Sequence, residues 1–436
     1  MKALKIELRR SVALWTGGLV VLIALGMLLG MSGPWNRGPD GWTSEWTSLA
    51  VWQRFMLNMV WPLALGAGAW QGRRDRRAGV DELMSTMPKT AFQRAVPPVA
   101  ALCLSAVAGY LVIFLVGAVQ VLGNTSYFDA DWLPVTVVGM LSLVAAVLIG
   151  MGIGRVLPYL LTAPILAVLA FAATTLALVA TPSSGSDIEG TVSNEFALMT
   201  PVLKGQYNPF LKVAADVSAV QVLWFLGLAV TGFGLLTFIG RKAQLLALVP
   251  AVAAGLFTFF LLPSHDGVYE RDEAASALVC ADGGPRVCVS RLHEDDLGEY
   301  VGQAREALTK LAKLPGGPTS AEEARVGYFD VDTVPSSGGT AYFFTDFWNG
   351  KDIEQTLLAG PARFRCENGM TGYDKSAARR VVVASWLNGE SKPVSRKELT
   401  PQATDIAGKL WNEVRALPAD QQPARVAALR AEARDC

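Results

Sequence analysis

The sequence predicts an α-helical polytopic membrane region of about seven transmembrane helices, followed by an α+β extracytoplasmic domain. Three observations carry that expectation. Charge is unevenly spread: of the 76 Asp, Glu, Lys and Arg residues, 29 fall in the first 262 positions (about 11%) and 47 in the last 174 (about 27%). The second density is ordinary for a water-soluble domain and the first is not. Seven windows reach the roughly 20 apolar residues that a ~30 Å hydrocarbon core demands. Four of the five cysteines, Cys280, Cys288, Cys366 and Cys436, lie in the charged last part of the chain. These features exclude a single soluble enzyme, a disordered chain and a basic nucleic-acid binder.

The windows run about 12–31, 50–71, 96–122, 133–153, 157–180, 217–240 and 244–262. Lys2, Lys5, Arg9 and Arg10 precede the first in the manner of a signal peptide. That window is about 20 residues long and lacks a small-residue cleavage site, so it reads as a retained helix. No charge is expected deep inside any window, with Arg54 at the mouth of the second. Gly26 with Gly30 and Gly150 with Gly154 stand at GxxxG spacing, which permits close helix packing and also arises by chance.

Orientation follows from Lys and Arg. With the N-terminus inside, 13 of these residues fall on the cytoplasmic side: Lys2, Lys5, Arg9, Arg10, Arg73, Arg74, Arg76, Arg77, Lys89, Arg94, Arg155, Arg241 and Lys242. Four fall on the other side: Arg37, Arg54, Lys204 and Lys212. The expected topology therefore has a cytoplasmic N-terminus, seven crossings and an extracytoplasmic C-terminal domain in the cell membrane. Cysteines placed outside can oxidise, which agrees with an even number in the tail.

The segment Gly72–Ala95, GRRDRRAGVDELMSTMPKTAFQRA, carries the most information about function. Val80, Leu83, Met84 and Met87 share one helical face, Asp81 and Glu82 flank it, and Pro88 ends the turn. The plainest reading is a basic anchor at the membrane surface. The order of residues, however, resembles the coupling-helix loop of ABC-type exporter permeases of the type-2 family, with Arg76, Arg77, Gly79, Glu82, Leu83, Ser85 and Pro88 at the matching positions. Arg77 stands where that family often has an acidic residue, and Val80 where it often has Thr. The resemblance implies a six-span permease domain over 1–243, an added seventh helix over 244–262, and an extra domain over 263–436. It also implies a separate ATP-binding cassette ATPase subunit and a second membrane half, either a homodimer or a paired permease. The chain itself has no GxxxxGK[ST] loop.

In the tail, Ser276–Ala281 and Arg286–Arg291 read as strands around the turn Asp282-Gly283-Gly284-Pro285. Proximity favours pairing Cys280 with Cys288 and Cys366 with Cys436, although four cysteines allow three pairings. Leu297, Val301, Ala304, Leu308, Leu311 and Leu314 predict a helix over about 295–314. Ala324–Val331 and Thr340–Thr345 read as strands, and Ala377–Leu387, Pro401–Leu417 and Ala424–Asp435 as helices. Tyr342, Phe343, Phe344, Phe347 and Trp348 read as packing residues.

Sites for chemistry are sparse. His293-Glu294-Asp295-Asp296 lacks a second histidine and the HExxH pattern, so it reads as acidic capping before a helix, with no metal. Ser290, Ser385 and Cys366 have no histidine partner in a recognisable nucleophile motif. No catalytic residue, metal or cofactor is expected, and no nucleic-acid partner. Two functions remain: the membrane subunit of an ATP-driven exporter, or a membrane-anchored extracytoplasmic sensor or scaffold. A membrane peptidase is disfavoured by the missing zinc motif.

Overall fold

The computed structural model describes residues 13–30, 45–77, 88–180, 192–203, 208–263, 267–326, 334, 339–345, 352–360, 369–395 and 399–434. The chain divides into two compact units. The first holds residues 1–124, 128–206 and 211–270, and the second holds 125–127, 207–210 and 271–436.

The first unit is built of helices: α1 (Ala13–Leu29), α2 (Trp46–Gly72), α3 (Ala91–Asn124), α4 (Trp132–Val156), α5 (Thr162–Val179), α6 (Ala215–Thr237) and α7 (Val249–Leu261). Among the described residues five stretches are long and apolar enough to cross a membrane: α3, α4, α5, α6 and Arg241–Leu261, which ends in α7. The other two expected spans differ. α1 is apolar but shorter, and α2 runs 27 residues while carrying Gln53, Arg54, Asn58 and Gln71. α3 starts earlier than its apolar window because Thr90 and Gln93 cap it reciprocally. Gln93 N–H donates to Thr90 Oγ1 at 3.3 Å and Thr90 N–H to Gln93 Oε1 at 3.4 Å, a capping box.

Glycines set how closely these helices approach. A Cβ at Gly150 or Gly154 of α4 would overlap the carbonyl oxygens of Leu65 and Ala69 on α2. α2 answers with Gly68 and Gly72, where a Cβ would overlap Val147 and Met151 carbonyls. Across α4, Gly152 and Gly232 bring it equally close to α6. The two GxxxG pairs therefore differ: Gly150 and Gly154 seat one backbone on another, while a Cβ at Gly26 would meet nothing within 4 Å.

The second unit carries a four-stranded sheet in the order β3 (Leu278–Cys280), β4 (Val287–Ser290), β5 (Ser320–Glu323), β6 (Thr340–Phe343); β1 (Leu211–Val213) and β2 (Tyr269–Arg271) pair separately. β3 and β4 form an antiparallel hairpin whose register sets Cys280 opposite Cys288, and the two are disulfide-bonded. β4, β5 and β6 run parallel. The connection from β4 to β5 passes through α8 (Leu297–Leu311), as parallel neighbours require. Four further helices follow: α9 (Ile353–Ala359), α10 (Gly369–Leu387), α11 (Pro401–Ala416) and α12 (Gln422–Glu432).

The core gathers Val287, Val289, Tyr300, Leu308, Leu311, Phe343, Leu357, Val382, Trp411 and Leu429. Phe343 and Phe344 are buried, in accord with a packing role, whereas Phe347 and Trp348 lie outside the described residues. β5 is Ser320–Glu323, where pairing on both edges outweighs the low strand propensity of Ser-Ala-Glu-Glu; of the expected strand Ala324–Val331, residues 324–326 are not in a strand and 327–331 lie outside the described residues.

Candidate functional sites

Three places concentrate polar groups, and the first flanks the proposed coupling loop. Arg73, just past α2, lies with its guanidinium 4.0 Å over the Trp70 ring and donates from Nη1 to the Tyr159 carbonyl at 3.1 Å. Arg74–Arg77 form one helical turn, and the exposed Arg77 lies 5.7 Å over the same ring. Arg76 belongs to that turn, and Pro88 is exposed before α3. Gly79, Glu82, Leu83 and Ser85 lie outside the described residues, as do Cys366 and Cys436.

The second place centres on Arg54. Expected near the mouth of its span, this residue has no exposure to solvent: it is wholly buried within the first unit. Nε donates to the Pro201 carbonyl at 2.6 Å, Nη2 to Gln221 Oε1 at 3.1 Å, and Nη1 reaches the Val135 carbonyl at 3.4 Å. Gln221 is fixed in turn by donating to the Leu198 carbonyl at 2.7 Å. Beside Arg54, Gln53 Nε2 donates to the Tyr110 carbonyl at 2.5 Å. Tyr110 Oη, Thr136 Oγ1 and Gln53 Oε1 are buried with no hydrogen-bond partner. Apolar periodicity hid this cluster, since its partners come from α3, α4 and α6 and from the segment before β1.

The third place lies at the carboxyl ends of the parallel strands, where open α/β sheets commonly bind ligands. Ser290 ends β4, Glu323 ends β5 and Thr345 follows β6. His293, at a non-helical kink inside the 3₁₀ turn Arg291–Asp296, joins them. Glu323 Oε1 meets His293 Nδ1 at 2.6 Å and accepts from Thr345 Oγ1 at 2.7 Å, while Oε2 accepts from Ser290 N–H at 2.6 Å. Burial pushes the Glu323 carboxyl up. The His293 charge and hydrogen bond, then Thr345 and Ser290, outweigh it and leave the carboxyl at about 2.

Ser290 has a histidine neighbour outside any nucleophile motif, with Oγ 3.3 Å from His293 Nδ1. This is not a nucleophile's geometry, because Ser290 is buried and shares with Glu323 the one ring nitrogen that the carboxylate already occupies. Nor do the acidic residues cap as expected. Asp296 holds the N-cap position of α8 without a side-chain cap bond, and Asp295 Oδ2 accepts instead from Ser126 N–H at 3.0 Å.

Comparison with protein-family models, with curated proteins and with solved structures finds no match for this chain.

Proposed function

We propose that this chain is the membrane-spanning subunit of an ATP-driven exporter, coupled through its 72–95 loop to a separate ATP-binding cassette ATPase and paired with a second membrane half. In this reading the N-terminus and the 72–95 loop are cytoplasmic and the C-terminal unit is extracytoplasmic. The chain performs no bond chemistry of its own.

The observation that carries the reading is the order of residues between α2 and α3: a basic cluster, then Gly79, Glu82-Leu83-Met84-Ser85-Thr86 and Pro88. Two features of the flanks support it. Arg73 is clamped between Trp70 and the Tyr159 carbonyl, so the base of the loop is held firmly. α2 is seated against α4 backbone to backbone through Gly68, Gly72, Gly150 and Gly154, which suits a helix that must pass on a push without yielding.

Co-purification from membranes tests the proposal. The full-length protein should bring down a Walker-motif ATPase, and both Glu82→Arg and deletion of 78–88 should abolish that association while leaving the chain in the membrane. Capture of no ATPase by the wild type, or unchanged capture by the deletion, overturns it.

A second reading is favoured by one observation, the polar cluster at the carboxyl ends of β4, β5 and β6. In that reading the C-terminal unit senses an extracytoplasmic ligand and the helices anchor it. Ligand-dependent behaviour of the tail without any ATPase association distinguishes it.

A further inference from the structure

We infer that the first unit holds a small monovalent anion, of the class of chloride, between Arg54, Tyr110 and Thr136. The inference is independent of the transport reading and starts from charge balance. Arginine stays protonated in proteins, and a lone charge removed from water is costly unless it is compensated. Arg54 is wholly buried, yet its three partners, the Pro201 and Val135 carbonyls and Gln221 Oε1, are all neutral. They engage only three of the five N–H groups that a guanidinium carries. An ionisable group inside an apolar helical assembly marks a functional site by default, with its counter-charge to be identified.

The unsatisfied groups nearby are of the kind that an anion needs. Tyr110 Oη and Thr136 Oγ1 are both buried without a partner, and each is an O–H donor. They converge on one turn of α4. A Cβ at Gly139 would collide with Tyr110 Oη and come within 3.1 Å of Arg54 Cδ, so the phenol and the arginine side chain flank the same spot. Thr136 lies three residues earlier, on the same side of α4, next to the carbonyl of Val135 that Arg54 already reaches. The third unpaired atom, Gln53 Oε1, is an acceptor, and adjacent helical residues project about 100° apart, which turns it away from the Arg54 side. A spare pair of guanidinium N–H groups and the O–H groups of two unpartnered hydroxyls supply four donors beside one positive charge. One positive charge with four donors is balanced by one monovalent anion and is not balanced by water.

The test uses the full-length protein in detergent, with its unfolding temperature followed while sodium chloride replaces sodium gluconate at constant ionic strength. The wild type should show a saturable stabilisation of about 2–4 °C in chloride. Tyr110→Phe and Thr136→Val each remove one hydroxyl and little volume. Each should weaken half-saturation roughly tenfold, the loss expected for one hydrogen bond to a charged group. Arg54→Gln should lose the chloride response altogether; because that variant can fail to fold, the two hydroxyl variants carry the result. Equal stability in both salts, or a chloride response unchanged in Tyr110→Phe and Thr136→Val, overturns the proposal and assigns the orphan donors to bound water.

Discussion

Arg54 and Glu323 are both charged side chains with almost no exposure, and the two units treat them in opposite ways. Around Arg54 the helical unit supplies carbonyls and an amide, all neutral, drawn from segments far apart in sequence. Around Glu323 the C-terminal unit supplies an imidazole, a hydroxyl and a backbone N–H, all close to the ends of neighbouring strands. The contrast extends to what holds each unit together. The helices close on one another by glycine-mediated backbone contact, which neither titrates nor oxidises. The C-terminal unit adds a disulfide between Cys280 and Cys288 and ion pairs such as Lys310 with Glu354 to its apolar core. The first unit has ion pairs too, Lys212 with Asp131 at 2.9 Å and with Glu270 at 3.7 Å, so what sets the C-terminal unit apart is the buried Glu323 contact, which acid can break, and the disulfide, which reductant can break.

The largest effect should come from attacking the helical contact itself. Gly154→Leu places a side chain where the Ala69 carbonyl sits, and backbone cannot step aside as a flexible side chain can. The expected cost exceeds about 3 kcal/mol, the upper range for overpacking, and size-exclusion chromatography should show aggregated protein. Gly26→Leu, with open space around it, should elute as the wild type does. Equal behaviour of the two variants would remove the glycine contact as the source of the unit's rigidity.

A comparable loss, confined to the other unit, should follow Glu323→Ala. The variant leaves the Ser290 N–H and the Thr345 hydroxyl without their acceptor, at about 1–3 kcal/mol for each orphaned buried group, while His293 sheds its proton and strands no charge. Hydrogen exchange resolved by segment should show β4, β5 and α8 loosened and α2, α4 and α6 unchanged. Acid should act on the same contact. A carboxyl held at about 2, against an ordinary value of 4.5, contributes stability that is complete above pH 4.5 and lost as pH falls towards 2. Glu323→Gln should flatten that dependence. If α2 and α4 open in step with the strands, the loss is not confined to the C-terminal unit and the contrast between the two units is wrong.

The smallest effect concerns redox state. Cys280 and Cys288 are eight residues apart, so the loop they close is short, and chain-entropy estimates give it about 2.5 kcal/mol. Cys288→Ser should lower the unfolding free energy of the C-terminal unit by that amount, and added reductant should then have no further effect on the hairpin.

Much of this architecture is legible in the sequence. Apolar windows mark where the helices run, and the Asp282–Pro285 turn brackets the hairpin that carries the disulfide. Leu308, Leu311 and Leu314 mark the buried face of α8 and its end. What was not legible depends on partners distant along the chain. Arg54 sits near the edge of an apolar window, and nothing local shows that Pro201 and Gln221 will enclose it. Glu323 occurs in a strand of weak propensity, and His293 stands among acidic residues that invite a capping explanation. Their pairing becomes visible only when β4 and β5 lie side by side. The GxxxG pairs teach the same lesson, since identical spacing at Gly26 and Gly150 gives opposite environments.

Where backbone meets backbone there is no layer of side chains to compress, so α2, α4 and α6 act mechanically as one beam. α1 and α3 make a second, through Gly17 against the Ser105 carbonyl and Gly109 against the Gly17 carbonyl. Between the beams the contacts are of another kind: the Gln53 amide on the Tyr110 carbonyl, and the Tyr110 ring lying over Gly139. Side chains rotate where backbones cannot. The line along which the helical unit can flex therefore runs past Tyr110.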